Sequence, residues 1–261
     1  MTIALMYHAL YADDTGLEQI DVEDRPYAVS VDNFRAQLKV LQDYRCGLLG
    51  AGDSAPEIVL TFDDGHASNA ELALPLLLEA GIPAYFFITT DFIESRPHFC
   101  SWAQLRTMAD AGMIIGSHGK THRFFADLSV REAEAELLTS KTAIEQAIGQ
   151  RVASISFPGG RYSSKTLELA RFTGYSQLFG SGFGKIGANS ESDEAMLSAE
   201  PQALNRLAIR RGTGLAEFQR MVAGDSRYFA VQSVKSVTKN LVKRVLGNNR
   251  YHALYKFIAS R

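Results

Sequence analysis

Residues 58–65 read IVLTFDDG. Ile58, Val59 and Leu60 have the character of a buried strand; Thr61 and Phe62 follow, and then come two adjacent carboxylates and a glycine. A strand that is apolar along its whole length belongs to a parallel sheet covered on both faces. Asp63 and Asp64 at its end repel one another and resist desolvation, so they require a compensating charge.

Working outward, runs of the same type recur as IALMY (3–7), EIVLTF (57–62), AYFFI (84–88), MIIGS (113–117), ASISF (153–157), YSQLF (175–179) and RLAIR (206–210). Helical patterns lie between them. VDNFRAQLKVLQ spaces Phe34, Leu38 and Leu41 on one face. SWAQLRTMADAG offers Ser101 as N-cap with Gln104 three residues on and Gly112 as stop, and Ser129 with Glu132 forms a capping box for a helix ending at Gly149. Strands alternating with helices leave a barrel or a doubly wound sheet, and seven strands in one domain favour a (β/α) barrel. The stretch 180–201, rich in Gly, Ser and acid, reads as a long loop.

The chain has 261 residues, 46% hydrophobic and 21% charged, enough for one large domain. A net charge of -2 and a pI near 6.3 give no reason to expect nucleic acid as a partner. Cys46 and Cys100 are too few for a disulfide framework and read as free thiols. The N-terminal MTIALMYHALYADD lacks a charged leader region and its apolar run is broken by His8; no stretch reaches the roughly 18 apolar residues of a membrane span. The expectation is a cytoplasmic protein. After Asp225 no acidic residue occurs while eight Lys and Arg do, from Arg227 to Arg261. The expected organisation is a barrel over 1–225 and a basic helical extension over 226–261.

In a parallel barrel the residues following each strand meet at one rim. That rim would gather His8, Asp63, Asp64, Asp91, His118 and the Pro158-Gly159-Gly160 turn. Taken singly, each has a bland alternative: a satisfied interior histidine, a turn, an exposed loop. Together they make a ligand set. His118 and His122, four apart, point the same way if the segment makes a helical turn, and an Asp oxygen supplies a third ligand. Two imidazoles and a carboxylate suit a divalent transition metal with open positions for water and substrate. A dication neutralises one carboxylate of the pair and lets the other stay ionised as a base. The implied chemistry is hydrolysis of an amide or ester. His8 is the best-placed acid for the leaving group, and a backbone N–H of the glycine turn, at Gly159, would stabilise the oxyanion.

TFDDG, SHGKTH and FPGG, in that order over about residues 1–220, resemble the polysaccharide deacetylase family, carbohydrate esterase family 4, also described as NodB-like. The resemblance implies a distorted (β/α) barrel of about seven parallel strands that removes N-acetyl, sometimes O-acetyl, groups from sugars with a divalent metal, usually zinc, with nickel, cobalt or iron as alternatives. It implies Asp63 as general base and Asp64, His118 and His122 as metal ligands. Two positions depart from the family pattern. Gly119 stands where Ser or Thr is usual, which removes a loop-stabilising hydrogen bond. Ser156 stands where an Arg usually steadies the base, and Arg206, opening the last strand, is the candidate substitute. IALMYH at the front looks like the family's late histidine motif, as in the circularly permuted branch that includes poly-N-acetylglucosamine deacetylases, which again makes His8 the acid.

Among the aromatics, Trp102 and Tyr162 lie at loops or element starts and are candidates to stack on sugar rings. In the tail, Val237, Leu241, Val245, Leu254, Phe257 and Ile258 recur at helical intervals between Lys and Arg. This reads as helices packed on the barrel or as a contact with a membrane surface, which an enzyme acting on a lipid-linked glycan would use. The competing functions are an acetyl-ester or small-amide hydrolase on the same fold, and a non-catalytic glycan-binding protein.

Overall fold

Apolar runs become strands and amphipathic runs become helices over residues 1–51, 54–186 and 202–234, which the computed structural model describes. In chain order these are β1 (Ile3–Tyr7), β2 (Leu10–Tyr11), α1 (Asp14–Glu18), β3 (Val29–Ser30), α2 (Val31–Leu41), β4 (Ile58–Phe62), α3 (Leu74–Ala80), β5 (Ala84–Ile88), α4 (Trp102–Asp110), β6 (Ile114–Ser117), α5 (Val130–Ile148), β7 (Ser154–Ser156), α6 (Ser164–Phe172), β8 (Gln177–Phe179), β9 (Leu207–Ala208) and α7 (Leu215–Val222). Both expected capping boxes are present, and Gly149 ends α5 in the left-handed conformation. Short elements without a strong periodic signal, such as α1, β2 and β3, were not legible in the sequence.

Seven strands form one parallel sheet in the order β8-β7-β6-β5-β4-β1-β9. β1, first in the chain, pairs with β4 on one side and β9 on the other. The sheet curls until its edges meet. Gly180 N–H donates to Leu204 O at 2.9 Å, and Leu204 N–H to Leu178 O at 2.7 Å, so the segment leading into β9 also bridges β8. This is a distorted barrel, closed by a few bonds rather than by a full ladder.

Period-2 alternation sorts the side chains into two layers. Ile3, Leu5, Leu60, Phe62, Phe86 and Ile88 join the large core beneath the helices. Ala4, Val59, Tyr85, Phe87 and Phe179 form a separate interior cluster, with Leu48 and Leu49 packed against it. The Phe87 and Phe179 rings lie 5.1 Å apart. The same parity aims Thr61 and then Asp63 along the interior side of β4.

Beyond Asp225, residues 226–234 are helical, and Phe229 packs on Phe183 with centroids 5.3 Å apart. The apolar and basic positions expected to meet a membrane surface from 235 onward, and most of the expected long loop (187–201), lie outside the described residues. Among the described residues no helix is long and apolar enough to cross a membrane.

Gly116 on β6 leaves the space that Phe87 fills: a Cβ there would sit 2.6 Å from Ser154 Oγ and 2.7 Å from the Phe87 ring. Gly116→Ala is expected to destabilise the fold by about 1–3 kcal/mol through overpacking, read as a lower urea midpoint at unchanged m. An unchanged midpoint would mean the interior is not close-packed at this layer.

Candidate active site

β4 delivers Asp63 into the barrel mouth, where it is 3% exposed. Arg206, 1% exposed, reaches it from the segment before β9. Its Nη1 donates to Asp63 Oδ1 at 2.7 Å and its Nη2 to Oδ2 at 2.8 Å, a two-pronged pair. The remaining guanidinium donors go to Thr61 Oγ1 (3.0 Å), Ser156 Oγ (2.7 Å) and, from Nε, Gly180 O (2.7 Å). Ser156 Oγ in turn donates to Asp63 Oδ2 at 3.2 Å. The position expected to carry an arginine thus holds a small relay, and the guanidinium arrives from the opposite edge of the sheet. Burial opposes ionisation of Asp63, but Arg206 outweighs it and holds the carboxyl below the usual range.

The chain reverses sharply after Asp63, with Asp64 at φ 78° and Gly65 at φ 88°. Left-handed backbone at a non-glycine residue costs about 1 kcal/mol or more, and here it turns the second carboxylate back over the rim. Asp64 Oδ1 lies 3.4 Å from His118 Nε2 and 3.2 Å from His122 Nε2. The imidazole rings of His118 and His122 have centroids 5.1 Å apart. No helical turn brings them together, as the sequence spacing had suggested. They converge through a loop with Gly119 at φ 80° and His122 at φ 63°. The loop-stabilising hydrogen bond expected to be missing at Gly119 is replaced: Gly119 N–H donates to Ser117 Oγ at 3.0 Å.

This trio fits a divalent cation. The one ligand atom that each residue offers lies within 4.8 Å of the other two. Asp64 Oδ1 is buried, and the nitrogens that face it are those of the two imidazoles. His118 Nδ1 lies 2.7 Å from Ser156 O, which can only accept, so Nδ1 carries the proton and Nε2 presents its lone pair. Burial pushes His118 down to about 4, keeping it neutral. Burial also depresses His122, but the Asp64 carboxylate more than offsets this and raises it.

His8, past β1, closes the other side. It lines a cleft of about 120 Å³ together with Asp63, Asp64, Asp24, His66 and Phe99. Its Nδ1 is buried with no hydrogen-bond partner among the described residues, and its ring lies 4.9 Å from Tyr27. Gly159 sits in the Pro158–Gly160 turn at φ 60°, where a Cβ would come within 2.8 Å of Phe124. Trp102 and Tyr162 are not among the cleft-lining residues. Trp102 opens α4 against the main core; the Tyr162 ring packs on Phe157 at 5.1 Å and its hydroxyl accepts from Ala203 N–H at 3.2 Å. Asp24, His66 and Phe99 escaped the sequence reading because they lie in loops, where no periodicity marks them.

Residues 51–178 match the family model for polysaccharide deacetylase. YxkH of Bacillus subtilis, assigned by name to the polysaccharide deacetylases, is 27% identical over 225 residues, covering 82% of this chain and 73% of that protein. A chitooligosaccharide deacetylase of Sinorhizobium fredii is 26% identical over 168 residues, covering 62% and 76%. Among solved structures, the Streptococcus pyogenes deacetylase PplD in complex with acetate superposes with a TM-score of 0.70 at 21% identity, over 85% of this chain and 97% of that one, a likeness of fold.

The buried imidazoles make acid stability a readout of the site. His118 and His66 are both pushed down to about 4 by burial. An unfolded histidine takes its proton near pH ~6.5, so between that pH and about 4 the unfolded state binds more protons and stability falls as pH falls. The depressed carboxyls of Asp63 and Asp64 contribute fully above about pH 4 and lose that contribution on further acidification. His122, raised, acts in the opposite sense. Metal-free protein is expected to show a lower urea midpoint at pH 5 than at pH 7; an equal or higher midpoint would contradict buried, neutral imidazoles.

Replacing Arg206 with Ala leaves Asp63 buried and unpaired, an expected loss of about 3–5 kcal/mol in the same assay. A change within 0.5 kcal/mol would mean the pair is solvated.

Proposed function

The chain belongs to the polysaccharide deacetylase family, and from that premise we propose that it hydrolyses N-acetyl groups on amino-sugar residues of a polysaccharide or its lipid-linked precursor. Asp63 is the base, His8 the acid, and Asp64, His118 and His122 hold a divalent cation, zinc first. The observation that carries this reading is the convergence of Asp64 with both imidazoles beside a second carboxylate fixed by Arg206.

Bound to that trio, a divalent cation supplies Lewis acidity to the acetyl carbonyl and acidifies water. The protein's own residues do the rest. Asp63, kept ionised by Arg206, accepts the proton of the attacking water as its oxygen bonds to the acetyl carbon. Both Asp63 oxygens are engaged by Arg206, so the carboxylate is fixed in place before substrate arrives. The backbone N–H of Gly159 is the donor proposed for the oxyanion. When the C–N bond breaks, His8 gives a proton to the departing nitrogen, leaving acetate and a free amine. His8 and Asp63 share the cleft, which supports their opposite roles.

Asp63→Asn is expected to lower acetate release from chitooligosaccharides by about 10²-fold or more while retaining bound metal, with folding checked by circular dichroism because Arg206 loses its counter-charge. His118→Ala should lose the metal itself. A folded, fully active Asp63→Asn removes Asp63 as the base. Release from acetyl-xylan in place of chitooligosaccharides would move the assignment to ester hydrolysis, and glycan binding without acetate release by metal-loaded protein to a binding role.

A further inference from the structure

We propose that Glu136 is a positioning residue for the cation, splinting from α5 the loop that carries His118 and His122. This rests on the reading of Asp64, His118 and His122 as ligands, but the splint has its own evidence.

Neither histidine stands on regular structure. His118 is the first residue past β6, and His122 follows four residues later in left-handed backbone. Without external bonds such a loop would let the imidazoles diverge. Glu136 supplies those bonds: it is 6% exposed, and its carboxylate faces the loop. Oε2 accepts the N–H groups of Lys120 (2.6 Å) and Thr121 (2.9 Å), and Oε1 accepts the Thr121 hydroxyl (2.5 Å). Three donors satisfy a buried carboxylate that would otherwise be costly.

One turn along the same face, Ser140 Oγ lies 2.7 Å from Ser117 Oγ, which accepts from Gly119 N–H, while Ser140 donates to Glu136 O at 2.6 Å. Residues four apart on a helix share a face, so Glu136 and Ser140 grip the loop over 117–121 together. The carbonyls of the loop are held from the other side: Thr90 N–H donates to Gly119 O at 3.3 Å and Asp91 N–H to Lys120 O at 2.9 Å. Gly119 completes the fit. A Cβ there would stand 3.1 Å from Glu136 Oε2, so a side chain at 119 and the carboxylate compete for one space.

The test is zinc titration of metal-free protein against a chromophoric chelator, alongside hydrogen exchange over 117–123. Glu136→Ala is expected to weaken zinc binding by about tenfold or more and to speed exchange of the Lys120 and Thr121 amides. Ile148→Ala, a purely structural lesion at the far end of α5, should lower stability and leave zinc affinity unchanged. Glu136→Gln keeps the volume but turns one acceptor into a donor facing the loop amides; it should shift affinity in the same direction, by less, and serves if the alanine variant does not fold. Wild-type zinc affinity in a folded Glu136 variant overturns the splint. Absence of zinc uptake by the wild-type protein, with faster exchange still seen in Glu136→Ala, overturns the cation reading and with it the affinity claim.

Discussion

The interaction on which the rest depends is the buried pair of Asp63 and Arg206. It sits above the aromatic layer of Phe87 and Phe179, with the guanidinium 5.6 Å and 6.0 Å from those ring centroids. In so apolar a setting neither charge is tolerable alone, and the pair is retained because every guanidinium donor finds an oxygen. Those oxygens come from β4, from β7 and from the end of β8, so one side chain ties β4 to β7 and β8, from which β5 and β6 separate it in the sheet. The same residue lies in the segment whose backbone bridges β8 and leads into β9. Closure of the barrel and fixation of the proposed base are therefore one event.

Above this layer the rim is built from strain and compensation. Asp64 and His122 occupy left-handed backbone, and their side chains approach one another only because of it. Such conformations persist where the surroundings over-determine them. On one side Ser156 fixes the His118 tautomer through its carbonyl and Asp63 through its hydroxyl; on the other α5 holds the loop amides. Ser156 thus connects the proposed base with the neighbouring imidazole, and a residue without charge couples the two halves of the site. The electrostatics fit a dication: a buried carboxylate oxygen faces two imidazole nitrogens, and neutral His118 offers the lone pair of its Nε2.

The capacity to deacetylate sugars is thus proposed from the site and not from the barrel, since this architecture hosts many chemistries. What marks the site is the division of labour between two adjacent carboxylates. Alternation along β4 sends Asp63 inward to Arg206, and the reversal at Asp64 sends the next carboxylate to the imidazoles. Adjacent like charges are separated by being given different partners, which resolves the difficulty posed by the stretch IVLTFDDG.

The strands were legible because a buried parallel strand must be apolar throughout, and α4 and α5 because Ser101, Ser129 and Gly149 carry local capping chemistry that acts within a few residues. Candidate ligands were legible because strand ends in such a fold share a rim, so an Asp of the pair could be grouped with His118 and His122, and the family resemblance singled out Asp64. Distant chain could not be read in the same way. Arg206 was a candidate to steady Asp63 only through the family resemblance; the pair itself, the Ser156 link and the grip of Glu136 on the histidine loop join residues separated by between 15 and 143 positions. Local sequence therefore determined the elements and the rim, through periodicity and capping, which are short-range forces. Tertiary structure alone decided which buried charge meets which, because that choice is made by desolvation, and desolvation exists only once the barrel has closed.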